Sequence, residues 1–389
     1  MLYNNYLCTI NRFDDNMVSN PFILYGYESE KYFCDRKDET AQLKRLIANG
    51  NNVALIAPRR IGKTGLIENL FHQRDIERKY YTFLIDIYAT KNIEELVMTM
   101  GASMLAALRP RGVKVMQRFT SFLTSLRTGI SFDAVGNPSW NVEMGDIRLP
   151  RTTLDEIFQY INDADKPCIV AIDEFQTVSS YANSNVEAVL RTYVQHCRNA
   201  QFIFAGSQRT MMSEIFLSPS RPFYQSTSMM NIGCIPLDKY IPFVQQHFEE
   251  VNKRIAPETI ASIYERFEGI TWYVQRMMNE LFSLTPTGAT CDGQMTEAAI
   301  TNILRSNEFN YQSILFQLPP KQKELLVAIC KENKARNLTS AAFVRKYHLT
   351  SSSSVQAAIK GLLEKNFVTA NLDTYEVYDK FFALWLLSQ

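Results

Sequence analysis

The sequence predicts an α/β unit built on a parallel sheet, followed by a small helical unit and a third unit with the element order of a winged helix-turn-helix. Three observations carry this expectation. Between about Phe22 and Ile235, short apolar and β-branched runs alternate with amphipathic stretches, the pattern of strands covered on both faces by helices. After Pro236 those runs stop, and apolar residues recur at three- and four-residue spacing. From Pro319-Pro320 onward, three helical segments precede two short alternating runs around a turn.

Taken in order, the strand runs are "NVALIA", "YTFLIDI", "CIVAI", "QFIFAG" and "IGCIPL", which place the first unit at 1–235. Between the second and third lies a long insertion. It contains "IEELVMTMGASMLAALRP", with helical spacing, and an outer part at 110–150 in which "ISFDAVGNPSWNVEM" reads as a hairpin around Gly136-Asn137-Pro138. Trp140 of that hairpin reads as a packed core tryptophan, with a partner surface as the alternative. The helical unit, 236–310, holds "DKYIPFVQQHFEEVNKRI", "PETIASIYERFEG" and "TWYVQRMMNELFSL". The third unit, 311–389, holds "KQKELLVAICKENK", "SAAFVRKYH" and "SSSSVQAAIKGLLEKN", then "FVTANLDTYEVYDKF" with its turn at Asn371-Leu372-Asp373.

Composition bounds the function classes. A chain of 389 residues, 46% hydrophobic and 21% charged, has the make-up of two or three globular domains. The net charge of +1 excludes an all-over nucleic-acid coat, so any DNA contact requires a local patch. The segment from Leu318 to Gln389 supplies one, with ten Lys and Arg against six Asp and Glu. There "LTSSSSVQAAIKGLLEKN" would present Ser352, Ser353, Gln356 and Lys360 as a recognition helix, although without an arginine for guanine contacts. Seven dispersed cysteines (Cys8, Cys34, Cys168, Cys197, Cys234, Cys291, Cys330) with no C-x-x-C pair read as reduced thiols. The start "MLYNNYLCTINRFDDN" lacks a basic stretch leading into an apolar one, and no run approaches the roughly 18 apolar residues of a membrane span, so a soluble, cytoplasmic protein is expected.

The chemistry concentrates at strand ends. Ala57-Pro58-Arg59-Arg60-Ile61-Gly62-Lys63-Thr64 fits G-x-x-x-x-G-K-[ST] except that alanine stands first. A loop from a strand into a helix turns backbone N–H groups inward toward phosphate oxygens, at the positive end of the helix dipole. Pro58, Arg59, Arg60, Ile61, Gly62, Lys63, Thr64 and Gly65 are therefore the candidate nucleotide cradle, with Lys63 reaching the β and γ phosphates and the Thr64 hydroxyl in the shell of Mg2+. "PCIVAIDEF" ends a buried strand in two acids. Asp173 would meet the metal, and Glu174, pointing away from its neighbour, would act as general base on a water. "QFIFAGSQRT" brings Ser207, and beside it Gln208, to orient the same water or the γ-phosphate.

Together, "FCDRKDETAQL", "APRRIGKTGL", "IDEFQ" and "FAGSQRTMM" resemble the prokaryotic P-loop ATPases of the AAA+-related group that includes the archaeal-type ATPase domain and the STAND switch proteins. The resemblance covers most of the chain, since those proteins carry a helical lid and a C-terminal winged helix in this order. It implies ATP as the nucleotide and a P-loop sheet of order 5-1-4-3-2. It also implies a segment at 22–50 that puts Asp35, Arg36 and Glu39 near the adenine. Two departures stand out. Relatives show Pro-Leu-Tyr-Gly-Arg where this chain has Pro222-Phe223-Tyr224-Gln225-Ser226, which leaves Arg209 and Arg221 as substitutes for a missing catalytic arginine. Gly269-Ile270-Thr271-Trp272 lacks the proline of the lid's Gly-x-Pro, leaving Arg276 as a candidate sensor.

The expected function is an ATPase switch, slow without a partner, whose nucleotide state repositions the winged helix. The alternatives are an ATP-responsive DNA-binding regulator and a catalytically idle scaffold. Expected partners are ATP, then DNA through the winged helix or a protein client, and a second copy of the chain.

Overall fold

The computed structural model describes residues 19–133, 135–143, 146–182, 185–371 and 373–389. The amino-terminal stretch with Cys8, and Leu372 of the expected wing turn, lie outside them. Five parallel strands organise one unit: β1 (Val53–Ile56), β2 (Tyr81–Asp86), β5 (Cys168–Asp173), β6 (Ala200–Gly206) and β7 (Ser228–Asn231), with a hairpin of β3 (Ile130–Phe132) and β4 (Pro138–Trp140) between the second and third. The sheet runs β2-β5-β6-β1-β7, all parallel. Counted along the chain, that is the expected order 5-1-4-3-2.

The near-continuous apolar runs follow from coverage on both faces. Ala54 and Ile56 join one core with Phe83, Ile85, Val170, Ile172 and Phe204. Val53 and Leu55, pointing the other way, join a second with Ile169, Ala171, Ile203 and Ala205. Because the strands are parallel, the residues that follow β1, β2, β5 and β6 emerge on one carboxyl edge, where α/β sheets gather their chemistry.

The last sheet strand corrects the sequence expectation. It is "SMMN", not "IGCIPL": Ile232 still donates its N–H to the Ile56 carbonyl (2.9 Å), but the chain then leaves the ladder. The reason is position. An edge strand needs only partial burial, so Ser228 and Met229 stay half-exposed, while Ile232 and Ile235 are buried in the connection beyond it.

The insertion packs onto the same unit. Helix Ile93–Leu108 starts at the cap Asn92, whose side chain accepts the Glu95 N–H, and buries Leu96, Val97, Met100 and Met104. Trp140 lies across Gly101 of that helix so closely that a Cβ there would stand 2.1 Å from the ring. Trp140 is thus packed against that helix, partly buried, as the first of the two readings expects. The buried Glu156 carboxylate accepts hydrogen bonds from Thr124, from the Ser125 hydroxyl (2.6 Å) and from the Ser125 N–H (3.0 Å), tying the insertion to helix Pro150–Asp163.

The chain divides into two compact units by contact, residues 23–240 with 270–272 forming the one just described. The other takes the described residues before Ile23 with Ile241–Gly269 and Tyr273–Gln389. It carries the expected helices Pro257–Arg266, Pro320–Glu332, Ala341–Lys346 and Ser352–Glu364, and strands β11 (Val368–Asn371) and β12 (Thr374–Val377). Strands do not stop altogether after Pro236: β8 (Arg254–Ile255) pairs in parallel with β9 (Thr290–Cys291), and β10 (Ala335–Arg336) adds a third strand to the wing in the order β10-β12-β11. Runs of two residues are too short to leave a periodic signal. The 25-residue helix Gly293–Gln317 contains the boundary expected at 310, and its Tyr311 packs on Phe382 (5.2 Å) and Trp385 (5.6 Å) of the final helix Lys380–Ser388. Among the described residues no helix is long and apolar enough to cross a membrane.

Candidate functional site

After β1 the chain turns through Pro58-Arg59 and begins helix Lys63–Phe71 at Gly62, whose φ of 95° lies where glycine is at home. Arg60 adopts a φ of 68°, an uncommon conformation for a non-glycine residue. Among the described residues no side chain caps this helix, so its first N–H groups and the positive end of its dipole are left to suit an anion. A Cβ built on Gly62 meets nothing within 4 Å, which marks open space before the loop.

Lys63 sits in that first turn, only 7% exposed, with its ammonium 2.8 Å from Asp173 Oδ1 and 3.0 Å from Glu174 Oε1. Thr64 donates its hydroxyl to Asp173 Oδ2 at 2.7 Å. Ser207, just past β6, donates to Glu174 Oε2 at 2.6 Å, and Arg59 Nε reaches the Ser207 hydroxyl at 3.4 Å. Glu174 departs from the expected divergence of neighbouring side chains. It leaves the strand at φ 56°, ψ 40°, and this left-handed turn brings its carboxylate onto the same lysine as Asp173. Burial pushes the Glu174 carboxyl up, but Lys63 and the hydrogen bonds from Ser207, Gln176 and Lys63 outweigh it, so the group lies below the usual glutamate range.

Two neighbours escaped the sequence reading. Gln176, 2% exposed, donates to Glu174 Oε2 and, at 3.4 Å, to Ser207. Asp86 stands in register with Asp173 at the end of β2. Burial raises its pKa, the Tyr88 N–H opposes the rise, and the Asp173 and Glu174 charges add to it. The signal for Asp86 was available, because "YTFLIDI" ends in an acid on the same sheet edge as "CIVAID".

The other candidates are placed as follows. Gly65 lies under the Phe33 ring, which a Cβ would approach to 3.3 Å. Asp35 and Arg36 both take positive φ, 52° and 64°. The Arg36 guanidinium is buried and engaged: Nη1 pairs with Glu39 (2.7 Å), and Nη2 donates to the carbonyls of Gly233 (2.7 Å) and Ile61 (3.1 Å). Arg209 and Gln208 are exposed beside Ser207. Arg221 is held by Glu187 (2.7 Å) and Ser179 (2.6 Å). Arg276, in the other unit, bonds Asn279 (3.3 Å) and lies 3.7 Å from Glu280. Burial drives the Cys34 and Cys168 thiols up to about 12, which removes both as nucleophiles.

The donor set fits a nucleotide polyphosphate with a divalent cation. An uncapped helix start and a buried ammonium suit the anion, and a hydroxyl beside a carboxylate suits a hard cation.

Comparison with known proteins was made on this footing. Residues 33–277 match the sequence model of a family described as an ATPase domain predominantly from Archaea, and residues 309–388 match one described as a probable winged helix domain. Among solved structures, a Walker-type ATPase of Pyrococcus abyssi is 18% identical, covers 94% of this chain and 99% of its own, and superposes with a TM-score of 0.62. The ORC2 protein of Aeropyrum pernix, in ADPNP-ADP complexes, is 13% identical over 95% of this chain and 96% of its own, with a TM-score of 0.56. The ORC1 protein of the same organism, in complex with DNA, is 10% identical over 92% of each chain, with a TM-score of 0.51. Comparison with curated proteins finds no match. At such identities the structures show a shared fold.

Proposed function

Because the chain belongs to the archaeal-type ATPase family of AAA+ P-loop proteins and ends in a winged helix domain, we propose that it binds Mg-ATP at Pro58–Gly65 and hydrolyses it as a slow molecular switch. The observation that carries this reading is Lys63, buried at an uncapped helix start between Asp173 and Glu174, with Thr64 on Asp173. When bound, the magnesium ion supplies charge neutralisation on the phosphates. Thr64 and Asp173 would hold it, and Lys63 would supply the positioned cation for the β and γ phosphates. Glu174, kept ionised by its partners, would take the proton of a water, with Ser207 and Gln176 fixing its orientation. Of the two substitute arginines, Arg209 is exposed next to Ser207 and is the one proposed to stabilise developing charge, since Arg221 is committed to Glu187.

The proposed output is a repositioning of the winged helix by the nucleotide state. Its support is a hydrogen-bonded link: the Thr271 hydroxyl and the Trp272 N–H donate to the Ile61 and Arg60 carbonyls of the phosphate loop, and the helix these two residues start continues to Leu284. A second reading, an ATP-responsive DNA binder, is favoured by the likeness to a DNA-bound ORC1 protein and by Ser352, Ser353, Gln356 and Lys360, all exposed on helix Ser352–Glu364. Calorimetry with Mg-ATP, followed by steady-state hydrolysis with and without duplex DNA, tests both. Micromolar binding with slow turnover is the expected result, and no heat of binding would defeat the reading.

A further inference from the structure

Two carbonyls of the phosphate loop are held from outside it. The Ile61 carbonyl accepts from Arg36 Nη2 (3.1 Å) and from the Thr271 hydroxyl (3.0 Å), and the Arg60 carbonyl accepts the Trp272 N–H (3.0 Å). The Trp272 ring also stacks under the Arg60 guanidinium at 4.6 Å, and Arg60 is the loop residue with the strained φ of 68°. In a planar trans peptide the C=O of one residue and the N–H of the next point in opposite directions. Fixing the Arg60 and Ile61 carbonyls therefore aims the N–H groups of Ile61 and Gly62 away from Arg36, Thr271 and Trp272.

We propose that Arg36, Thr271 and Trp272 are positioning residues that preorganise the phosphate-binding N–H groups of the loop. For Arg36 this is a role in the loop itself, distinct from the place near the adenine that the family resemblance implies. The guanidinium is 3% exposed, and its partners are Glu39 and the carbonyls of Ile61 and Gly233, which tie the segment before helix Lys37–Ala48, the loop and the chain after β7 into one brace. A lysine cannot reproduce this, because one ammonium lacks the planar fork that spans three acceptors. Thr271 adds its donor from the first residue of helix Thr271–Leu284. Donors fixed before a ligand arrives raise affinity by removing the cost of ordering them.

The inference rests on the Mg-ATP reading, and its test separates the two. Mg-ATP and inorganic triphosphate are titrated against wild type, Arg36→Lys, Thr271→Val and Thr271→Ser, each checked for an unchanged circular dichroism spectrum. Loop positioning acts on phosphate alone, so Arg36→Lys and Thr271→Val should weaken both ligands by the same factor, about tenfold for one lost charge-assisted or well-aligned bond. Thr271→Ser, which keeps the hydroxyl, should restore wild-type affinity. Weaker ATP binding with unaltered triphosphate binding would assign these residues to the base and overturn the inference, as would unaltered affinity for both. If Arg36→Lys does not fold, the Thr271 pair decides alone. Wild type that binds neither ligand overturns the Mg-ATP reading and this inference with it.

Discussion

At the scale of single residues, Lys63 has two separable roles. Its ammonium neutralises the buried Asp173 and the half-buried Glu174, so Lys63→Ala should abolish or greatly weaken Mg-ATP binding and also destabilise the fold by about 3–5 kcal/mol, as expected when a buried charge loses its partner. Adding Glu174→Gln to that variant should recover part of the stability in chemical denaturation while leaving nucleotide affinity lost. Glu174→Gln alone should keep ATP binding yet slow hydrolysis by roughly 10²-fold or more, because an amide holds a water but takes no proton. The pH dependence has a definite sign. The folded-state pKa of Glu174 is lowered from the ordinary 4.5, so its pairing stabilises the fold above that value and the contribution drains as pH falls through the lower one. The Tm difference between wild type and Glu174→Gln should therefore shrink as pH falls below the ordinary 4.5, and a difference independent of pH would contradict the pairing.

At the scale of elements, the contact between helix Ile93–Leu108 and the β3–β4 hairpin is set by one missing methyl group. A Cβ on Gly101 would meet three ring atoms of the partly buried Trp140 at 2.1, 2.8 and 2.9 Å, so the helix or the hairpin must shift to admit it. Gly101→Ala should cost roughly 1–3 kcal/mol through overpacking, against the small gain of alanine within a helix. Limited proteolysis within 130–140 should quicken in parallel, and combining Gly101→Ala with Trp140→Leu should recover much of the loss. The elements also show where a sequence stays legible. Strands β1, β5 and β6 are covered on both faces and stood out as apolar runs, whereas the half-exposed edge strand β7 was misplaced by several residues.

For the whole molecule, the question is what the winged helix touches. Lys360 is 80% exposed and lies 3.9 Å from Glu364, and Lys365 donates to Gln322 (3.1 Å). If the domain tracks DNA phosphates, replacing both lysines by alanine should weaken binding across unrelated duplexes and flatten the salt dependence by up to about two in slope. A mobility-shift titration at two salt concentrations, with ATP and then ADP, checks this. No shift in any of the four conditions leaves the intramolecular switch. Truncation is a poor way to ask the same question at Asn310, since the cut severs helix Gly293–Gln317 and parts Tyr311 from the rest of that helix.

By itself the sequence determined what depends on local periodicity and on chemistry with a fixed spacing. The sheet of parallel strands, the helical segments beyond it and the order helix, helix, helix, hairpin at the end are all properties of residues close together in the chain. The same is true of the loop from Pro58 to Thr64 and of the acids after "CIVAI". Tertiary structure alone decided which groups face one another. Arg36 and Ile61 are 25 residues apart, Thr271 lies 210 residues beyond Ile61, and Lys63 stands 111 residues from Glu174. No periodicity encodes such pairings, because they arise when a parallel sheet brings distant strand ends to one edge. The left-handed backbone of Glu174, which turns that side chain onto Lys63, is likewise a product of the fold: its conformation is unfavourable for glutamate in isolation and persists where surrounding hydrogen bonds hold it.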